Sequence, residues 1–151
     1  MKCQRCRCST CIIYVTRNHE LLCENCYLMN LNKKQIETKV KIEFFSKLFD
    51  IDPLWASSVA MVESALGTAQ KSPTGCLGVF QMSTIAMKDL LLSMEMIDDD
   101  LVDIVCGIAF LKLLLKRWGN IEKATEKFCN PKDRYFYFTK VKKYMELFGK
   151  D

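Results

Sequence analysis

Apolar residues recur at helical spacing over most of the chain beyond residue 33. From Lys33 onward, the spacing places six apolar residues near one face of a helix: Ile36, Val40, Phe44, Phe45, Leu48 and Phe49. Asp52 and Pro53 then form a helix-start signal, an N-cap followed by a proline that the first turn tolerates. The helix that they open, PLWASSVAMVES, is apolar on nearly every side, which predicts a place in the middle of the fold.

The end of the chain carries a different helical pattern. In PKDRYFYFTKVKKYMELFGK, apolar and cationic positions alternate at helical spacing, which predicts a surface helix. The chain has 151 residues, 50% of them hydrophobic and 26% charged, which is ordinary for a folded domain. The pattern predicts a mainly α fold with one core of about 100 to 120 residues and a small attached module.

Cysteines divide the chain in two, because six of the nine fall within the first 26 residues. The polar stretch from Asn30 to Gln35 is interpreted as a linker between a module of residues 1–30 and a domain of residues 31–151. The N-terminus lacks the apolar stretch of about 7 to 15 residues that a secretory signal needs, and no apolar run is long enough to span a membrane. We therefore expect synthesis in a reducing cytoplasm, where clustered thiols hold metal more often than they form disulfides.

The N-terminal module has the spacing of a zinc-ribbon-like site. Two CxxC pairs separated by eleven residues offer four thiolates to one tetrahedral ion: Cys8, Cys11, Cys23 and Cys26. The intervening IIYVTRNHELL predicts a β-hairpin with 17–19 at its tip. Cys3 and Cys6 form an alternative pair to Cys8 and Cys11, His19 is a spare ligand, and a disulfide-stapled tail is the competing interpretation. A site with four sulfur ligands leaves no open position for water, so the zinc is expected to be structural.

Glu63 is a candidate catalytic acid because of its position. It is at the end of the apolar helix and precedes a loop that contains Gly67, Gly75 and Gly78. Such a helix delivers its last side chain to the wall of a cleft, where desolvation favours the protonated acid that a general acid requires. The competing interpretation is a solvated glutamate at a helix end. Ser72 and Gln81 supply hydrogen-bonding groups suited to hydroxyls and acetamides. No second Asp or Glu occurs between residues 64 and 87, so the usual glycosidase pair of carboxylates is not visible.

Three separated motifs resemble the catalytic domain of soluble lytic transglycosylases, within the goose-type lysozyme superfamily. The first motif comprises Glu63-Ser64, Ser72-Pro73-Thr74-Gly75, Gly78 and Gln81. The second, DIVCGIAFLKLLLKRWGN, is similar to the family's N-I-x-x-G-x-x-Y-L helix, and KFCNPKDRYFYFTKVKKYM to its A-Y-N-x-G and Y-V-x-x-V segments. The resemblance covers about residues 40 to 148. It implies a lysozyme-like helical domain with a small loop or hairpin after the catalytic helix.

The resemblance implies an enzyme that cleaves the β-1,4 bond between N-acetylmuramic acid and N-acetylglucosamine in peptidoglycan. It implies that Glu63 acts first as general acid and then as base, without a catalytic cofactor. The residues implied to contact substrate are Ser64, Ser72, Gly78, Gln81 and Asn130. In the family a tyrosine orients the carboxyl, whereas this chain has Cys129 at that position, with Tyr135 and Tyr137 nearby in sequence.

Two features leave the reaction and the function open. Asp98, Asp99, Asp100 and Asp103 either cap the helix that follows them or fold towards the cleft, where they would permit a lysozyme-type attack by water. Cys129 favours an inactive wall-binding or scaffold protein on the same fold.

A nucleic-acid-binding protein is a third interpretation, and charge argues against it. The net charge is only +4, and the first 30 residues hold four Arg or Lys against two Glu. Peptidoglycan glycan strands are the partner that the resemblance implies. Without a signal, the protein is expected to act on the wall as a phage endolysin or virion component, and the sequence leaves the oligomeric state undetermined.

Overall fold

A computed structural model of the chain describes residues 1–69, 78–82, 100–128 and 134–150. The chain divides into two compact units, Met1–Asn32 and Lys33–Asp151, with the boundary two residues beyond the one expected from the sequence. The described residues are mainly helical, as predicted. Among them, no helix combines the length and the apolar character needed to cross a membrane.

The first unit contains a two-stranded sheet and one short helix. Strands β1 (Tyr14–Val15) and β2 (Leu21–Leu22) pair antiparallel, which confirms the predicted hairpin. The turn closes through a hydrogen bond from the Glu20 N–H to the Thr16 hydroxyl, 3.1 Å. Helix α1 (Glu24–Leu28) follows directly, and the buried apolar core consists of Cys3, Leu22 and Cys23. Because this core is so small, the unit needs another source of stability.

The second unit contains five described helices. They are α2 (Lys33–Leu48), α3 (Pro53–Ser64), α4 (Asp100–Trp118), α5 (Ile121–Phe128) and α6 (Arg134–Phe148). Helix α3 packs against α2 and α6, and α4 packs against α2 and α5. The Asp52 carboxylate accepts a hydrogen bond from the Leu54 N–H at 2.9 Å, with Pro53 in the first turn, so the predicted helix start is confirmed.

The predicted central position of α3 is also confirmed, since residues 55–60 are all buried. Trp55 has no exposed surface, and its indole N–H donates to the Thr125 hydroxyl of α5 at 2.7 Å. A buried indole keeps its polar group satisfied in this way while its ring fills the core. The bond therefore fixes α5 to the centre of the unit. Helix α6 is likewise a helix as predicted, with its buried Val141 facing inward.

Helix α2 differs from the simple expectation that its apolar face packs inward. Four members of the predicted apolar face are instead more than half exposed: Ile36, Val40, Phe44 and Leu48. The inward positions are Ile42 and three polar residues, Gln35, Thr38 and Ser46. Periodicity identifies which residues share a face, but the packing of α2 against α3 and α4 decides which face is buried.

Candidate functional site

Glu63 lies in the last turn of α3 and is half-buried. The chain leaves the helix sharply, because Ala65, Leu66 and Gly67 all have left-handed backbone angles, with φ of 50°, 56° and 87°. The Gln35 side chain of α2 donates to the Ala65 carbonyl at 3.1 Å and so holds this turn from the opposite side. The carboxyl is thus carried on a rigid helix end rather than on a free loop.

The Tyr137 hydroxyl of α6 donates a hydrogen bond to Glu63 Oε1. Tyr137 is buried, and the packing of α6 on α3 brings it to the carboxyl. The sequence offered Tyr135 and Tyr137 as neighbours of the motif but did not indicate which hydroxyl reaches Glu63. The structure supplies a phenol at the carboxyl although residue 129 is a cysteine.

Ser64 has its hydroxyl directed into the protein. Its Oγ accepts from the Gly67 N–H at 2.9 Å and donates to the Val79 carbonyl at 2.5 Å. The side chain is buried, so it links the end of α3 to the segment 78–82. Ser64 was expected among the substrate contacts, and its observed contacts are structural ones that support Glu63 from the next position in the chain.

Gly78 and Gln81 form a tight turn in that segment. The Gln81 side-chain amide donates to the Gly78 carbonyl at 2.7 Å, and Gln81 is partly exposed. Gly78 has a φ of +83°, a conformation that favours glycine. The turn therefore presents Gln81 near the surface while its amide stabilises the local backbone.

Asp103 was expected either to cap its own helix or to lie towards the cleft, and the structure pairs its carboxylate with the segment 78–82. Asp103 lies in the first turn of α4, is only 3% exposed, and accepts from the Val79 N–H through Oδ2 at 2.7 Å. A Cβ added at Gly78 would lie 2.2 Å from Asp103 Oδ1, so the carboxylate requires glycine there. Both backbone polar groups of Val79 are consequently paired, the N–H with Asp103 and the carbonyl with Ser64.

Several predicted site residues lie outside the described residues. Among these are Ser72, Gly75, Cys129 and Asn130, together with Asp98, Asp99 and most of the predicted loop or hairpin after α3. Their expected contacts with substrate stay predictions.

The second candidate site is a group of four thiols in the first unit. The sulfur atoms of Cys3, Cys6, Cys23 and Cys26 all lie within 4.8 Å of one another, which is close enough to hold one metal ion. The group contains the alternative pair, Cys3 and Cys6, rather than Cys8 and Cys11. Cys11 is exposed, and His19 occupies the hairpin turn with a φ of 61°.

Backbone geometry explains this choice of cysteines. The Arg7 N–H donates to the Cys3 carbonyl and the Cys3 N–H to the Cys8 carbonyl, both at 3.0 Å, which folds residues 3–8 into a tight knuckle. Arg7 completes it with a left-handed φ of 65°. Cys23 immediately precedes α1 and Cys26 lies within it, so a helix start provides the second pair. The sulfur atoms of the two pairs then lie within 4.8 Å of one another.

Backbone hydrogen bonds within the knuckle also favour the ionised form of two of its thiols. A hydrogen bond from the Cys6 backbone N–H is the largest influence that lowers the pKa of Cys3 to about 5. The Cys8 backbone N–H likewise lowers the pKa of Cys6, whereas burial is the main cause that raises the pKa of Cys26 to about 12. Metals bind thiolates rather than thiols, so ion binding at this group would release protons.

No protein-family model, curated protein or solved structure gives a match to this chain. The chemistry of the two sites is therefore argued from their own residues. One site offers a half-buried carboxyl with a phenol donor, suited to proton transfer. The other offers four soft sulfur ligands, suited to a structural metal ion.

Proposed function

We propose that the chain is a peptidoglycan-cleaving lytic transglycosylase or lysozyme that acts on the β-1,4 bond between N-acetylmuramic acid and N-acetylglucosamine. On this proposal the second unit is a lysozyme-like domain and peptidoglycan strands are its partner. Glu63 is the catalytic residue.

The hydrogen bond from Tyr137 to Glu63 carries the proposal. These residues are 74 positions apart and belong to two of the three motifs on which the resemblance rests. The first motif supplies the acid and the third supplies a donor that orients it. A solvated glutamate at a helix end would not be expected to contact a buried phenol. Because Tyr137 supplies a hydroxyl to the carboxyl, Cys129 is weaker support for an inactive protein.

The proposed reaction uses one carboxyl twice. Glu63 first gives its proton to the bridging glycosidic oxygen, and the bond breaks through an oxocarbenium-like state. The resulting carboxylate then accepts the proton of the sugar's own 6-hydroxyl as that oxygen attacks the anomeric carbon, which yields a 1,6-anhydro product. The Tyr137 hydroxyl stabilises the carboxylate between the two steps.

We also propose that the four-thiol group holds zinc as a structural ion. Four thiolates around one ion form a closed tetrahedral site, which is typical of structural zinc and leaves no position for substrate. The ion would add the stability that the small core of the first unit lacks. Metal analysis of the purified parent, Cys23→Ser and Cys26→Ser tests this directly: we expect one zinc per parent chain, and zinc that a chelator removes more readily from both variants, which keep three thiolates.

Muropeptides released from purified peptidoglycan test the enzymatic proposal. The parent protein, Glu63→Gln and the control Glu122→Gln are compared by mass spectrometry; Glu122 is an exposed acid in the first turn of α5. We expect 1,6-anhydro ends from the parent and the control, and none from Glu63→Gln with its circular dichroism unchanged. Reducing ends that depend on Glu63 would establish glycosidic cleavage with water as the acceptor. No release by the parent would overturn the proposal and leave a wall-binding scaffold.

A further inference from the structure

A fifth thiol lies beside the four that form the metal group. Cys8 Sγ is 3.2 Å from Cys6 Sγ, and the Cys8 thiol also interacts with that of Cys23. The knuckle holds it there, because the Cys8 carbonyl accepts from the Cys3 N–H at 3.0 Å. Cys8 therefore belongs to the same folded element as two of the four grouped cysteines.

The distance between two sulfur atoms distinguishes cysteines that can bind one ion together from cysteines that can only alternate at one ligand position. A tetrahedral ion with Zn–S bonds of about 2.3 Å separates its ligand sulfurs by about 3.8 Å. Cys6 Sγ and Cys23 Sγ are 3.7 Å apart, as two ligands of one ion would be. Cys6 Sγ and Cys8 Sγ, at 3.2 Å, are closer than that. These two sulfurs are thus placed to compete for one corner of the tetrahedron.

We propose that Cys8 is an alternate ligand that exchanges with Cys6 at the metal. In the exchange, Cys8 Sγ forms a bond to the ion as Cys6 Sγ releases it, and the Cys8 thiol proton passes to Cys6. The ion keeps four thiolates and the same charge throughout, so no oxidant or reductant is required. Because Cys8 can replace Cys6 from within the site, the ion can pass to an external acceptor while the unit stays folded.

The inference rests on the proposed metal site and is independent of the glycosidic chemistry. It is tested with the full chain loaded with Co²⁺, whose thiolate charge-transfer absorption grows with the number of bound thiolates. The variants are Cys6→Ser, Cys8→Ser and the double variant Cys6→Ser/Cys8→Ser. Cys11→Ser, alone and combined with Cys6→Ser, is the matched control because Cys11 is exposed and outside the group.

We expect both single variants to keep the absorption of four thiolates, because either sulfur fills the corner. The double variant should lose about a quarter of it, since three thiolates remain of the four that a tetrahedral ion takes. Zinc transfer from the protein to a coloured chelator should slow severalfold in Cys8→Ser and be unchanged in Cys11→Ser.

Three results would overturn the exchange. The first is a Cys6→Ser variant that already shows the absorption intensity of the double variant. The second is loss of the fourth thiolate in Cys6→Ser/Cys11→Ser. The third is a Cys8→Ser variant that transfers zinc at the parent's rate. If the parent chain shows no cobalt–thiolate absorption, the metal site itself fails and the exchange fails with it. A parent with four thiolates and a Cys6→Ser variant with three would reject the exchange alone.

Discussion

At the scale of single residues, the Glu63 carboxyl is held in place by a group from a distant part of the chain. The Tyr137 hydroxyl approaches from α6, and Ser64, the next residue along α3, is fixed by Gly67 and Val79. A carboxyl held on one side by a phenol has fewer orientations available to it. On the proposed function, this restriction positions the carboxyl for proton transfer.

Tyr137→Phe is expected to lower kcat by about 10- to 100-fold with little change in KM. The reason is that a hydrogen bond to a charged group contributes about 1.5 to 3 kcal/mol, and each 1.4 kcal/mol corresponds to about a factor of ten. The measurement is steady-state release of muropeptides. Tyr144→Phe, the same change two turns further along α6, is the control and should keep the parent's kcat. Equal rates for Tyr137→Phe and the parent would remove Tyr137 from the site.

At the scale of elements, the end of α3 and the start of α4 are joined through the backbone of one residue, Val79. The Val79 N–H donates to Asp103 of α4, and its carbonyl accepts from Ser64 of α3. Phe80, next in the chain, is fully buried against Gly107 of α4, where an added Cβ would lie 2.1 Å from its ring. The short segment 78–82 thus acts as a link between the helix that carries Glu63 and its neighbour.

Gly78→Ala should destabilise the protein by about 1 to 3 kcal/mol more than Gly119→Ala. Both glycines have a φ of +83°, so both substitutions incur the left-handed backbone cost of about 1 to 3 kcal/mol. Only at Gly78 does the new methyl meet the Asp103 carboxylate, whereas at Gly119 none of the residues that the structure describes comes within 4 Å of it. Displacing Asp103 would leave the buried Val79 N–H without its acceptor, which adds about 1 to 3 kcal/mol. Urea unfolding followed by circular dichroism gives the difference, and equal losses would contradict the Asp103 contact.

Helix α2 offers a second test at this scale, because its polar and apolar residues are placed opposite to the simple expectation. Ile42→Ala should cost about 2 to 5 kcal/mol, since Ile42 is fully buried and the change leaves a cavity. Phe44→Ala should change the free energy of unfolding by less than about 0.5 kcal/mol, because Phe44 is 59% exposed. The same urea unfolding experiment compares them. A larger loss for Phe44→Ala would show that α2 packs with its other face inward.

These elements show what local sequence determines. The start of α3, the hairpin and α6 were predicted because caps, alternation and helical periodicity act over a few residues. The face that α2 buries could not be predicted, since periodicity does not say what a helix packs against. The bonds from Tyr137 to Glu63 and from Val79 to Asp103 join residues 74 and 24 positions apart, and only the packed helices create them.

The choice among the cysteines was undetermined for a related reason. Cys3–Cys6 and Cys8–Cys11 have the same CxxC spacing, so spacing alone favours neither pair. The backbone of residues 3–8 decides, because the knuckle directs N–H groups at the Cys3 and Cys6 sulfurs. The residue that closes the knuckle with a left-handed backbone is Arg7. Because this residue is not a glycine, the turn could not be recognised in the sequence.

At the scale of the whole molecule, each unit contains its own site and depends on a different source of stability. The second unit buries an extensive apolar core around Trp55, Val59, Ile108 and Leu111. The first unit, Met1–Asn32, has only Cys3, Leu22 and Cys23 in its core. Units shorter than about 40 residues usually need a metal, a disulfide or a partner to fold.

Removing the metal is therefore expected to unfold the first unit and leave the helices of the second unit intact. Hydrogen exchange followed by mass spectrometry, with and without a strong chelator, measures this in the full chain. Amides that are hydrogen-bonded in the first unit, such as those of Cys3 and Thr16, should lose their protection, and added zinc should restore it. The amides of α3 and α4 serve as the internal control and should exchange as slowly as before, because none of the four grouped cysteines belongs to these helices. Loss of protection in α3 would show that the two units fold as one, and unchanged protection of Cys3 and Thr16 would show that thiol packing alone stabilises the first unit.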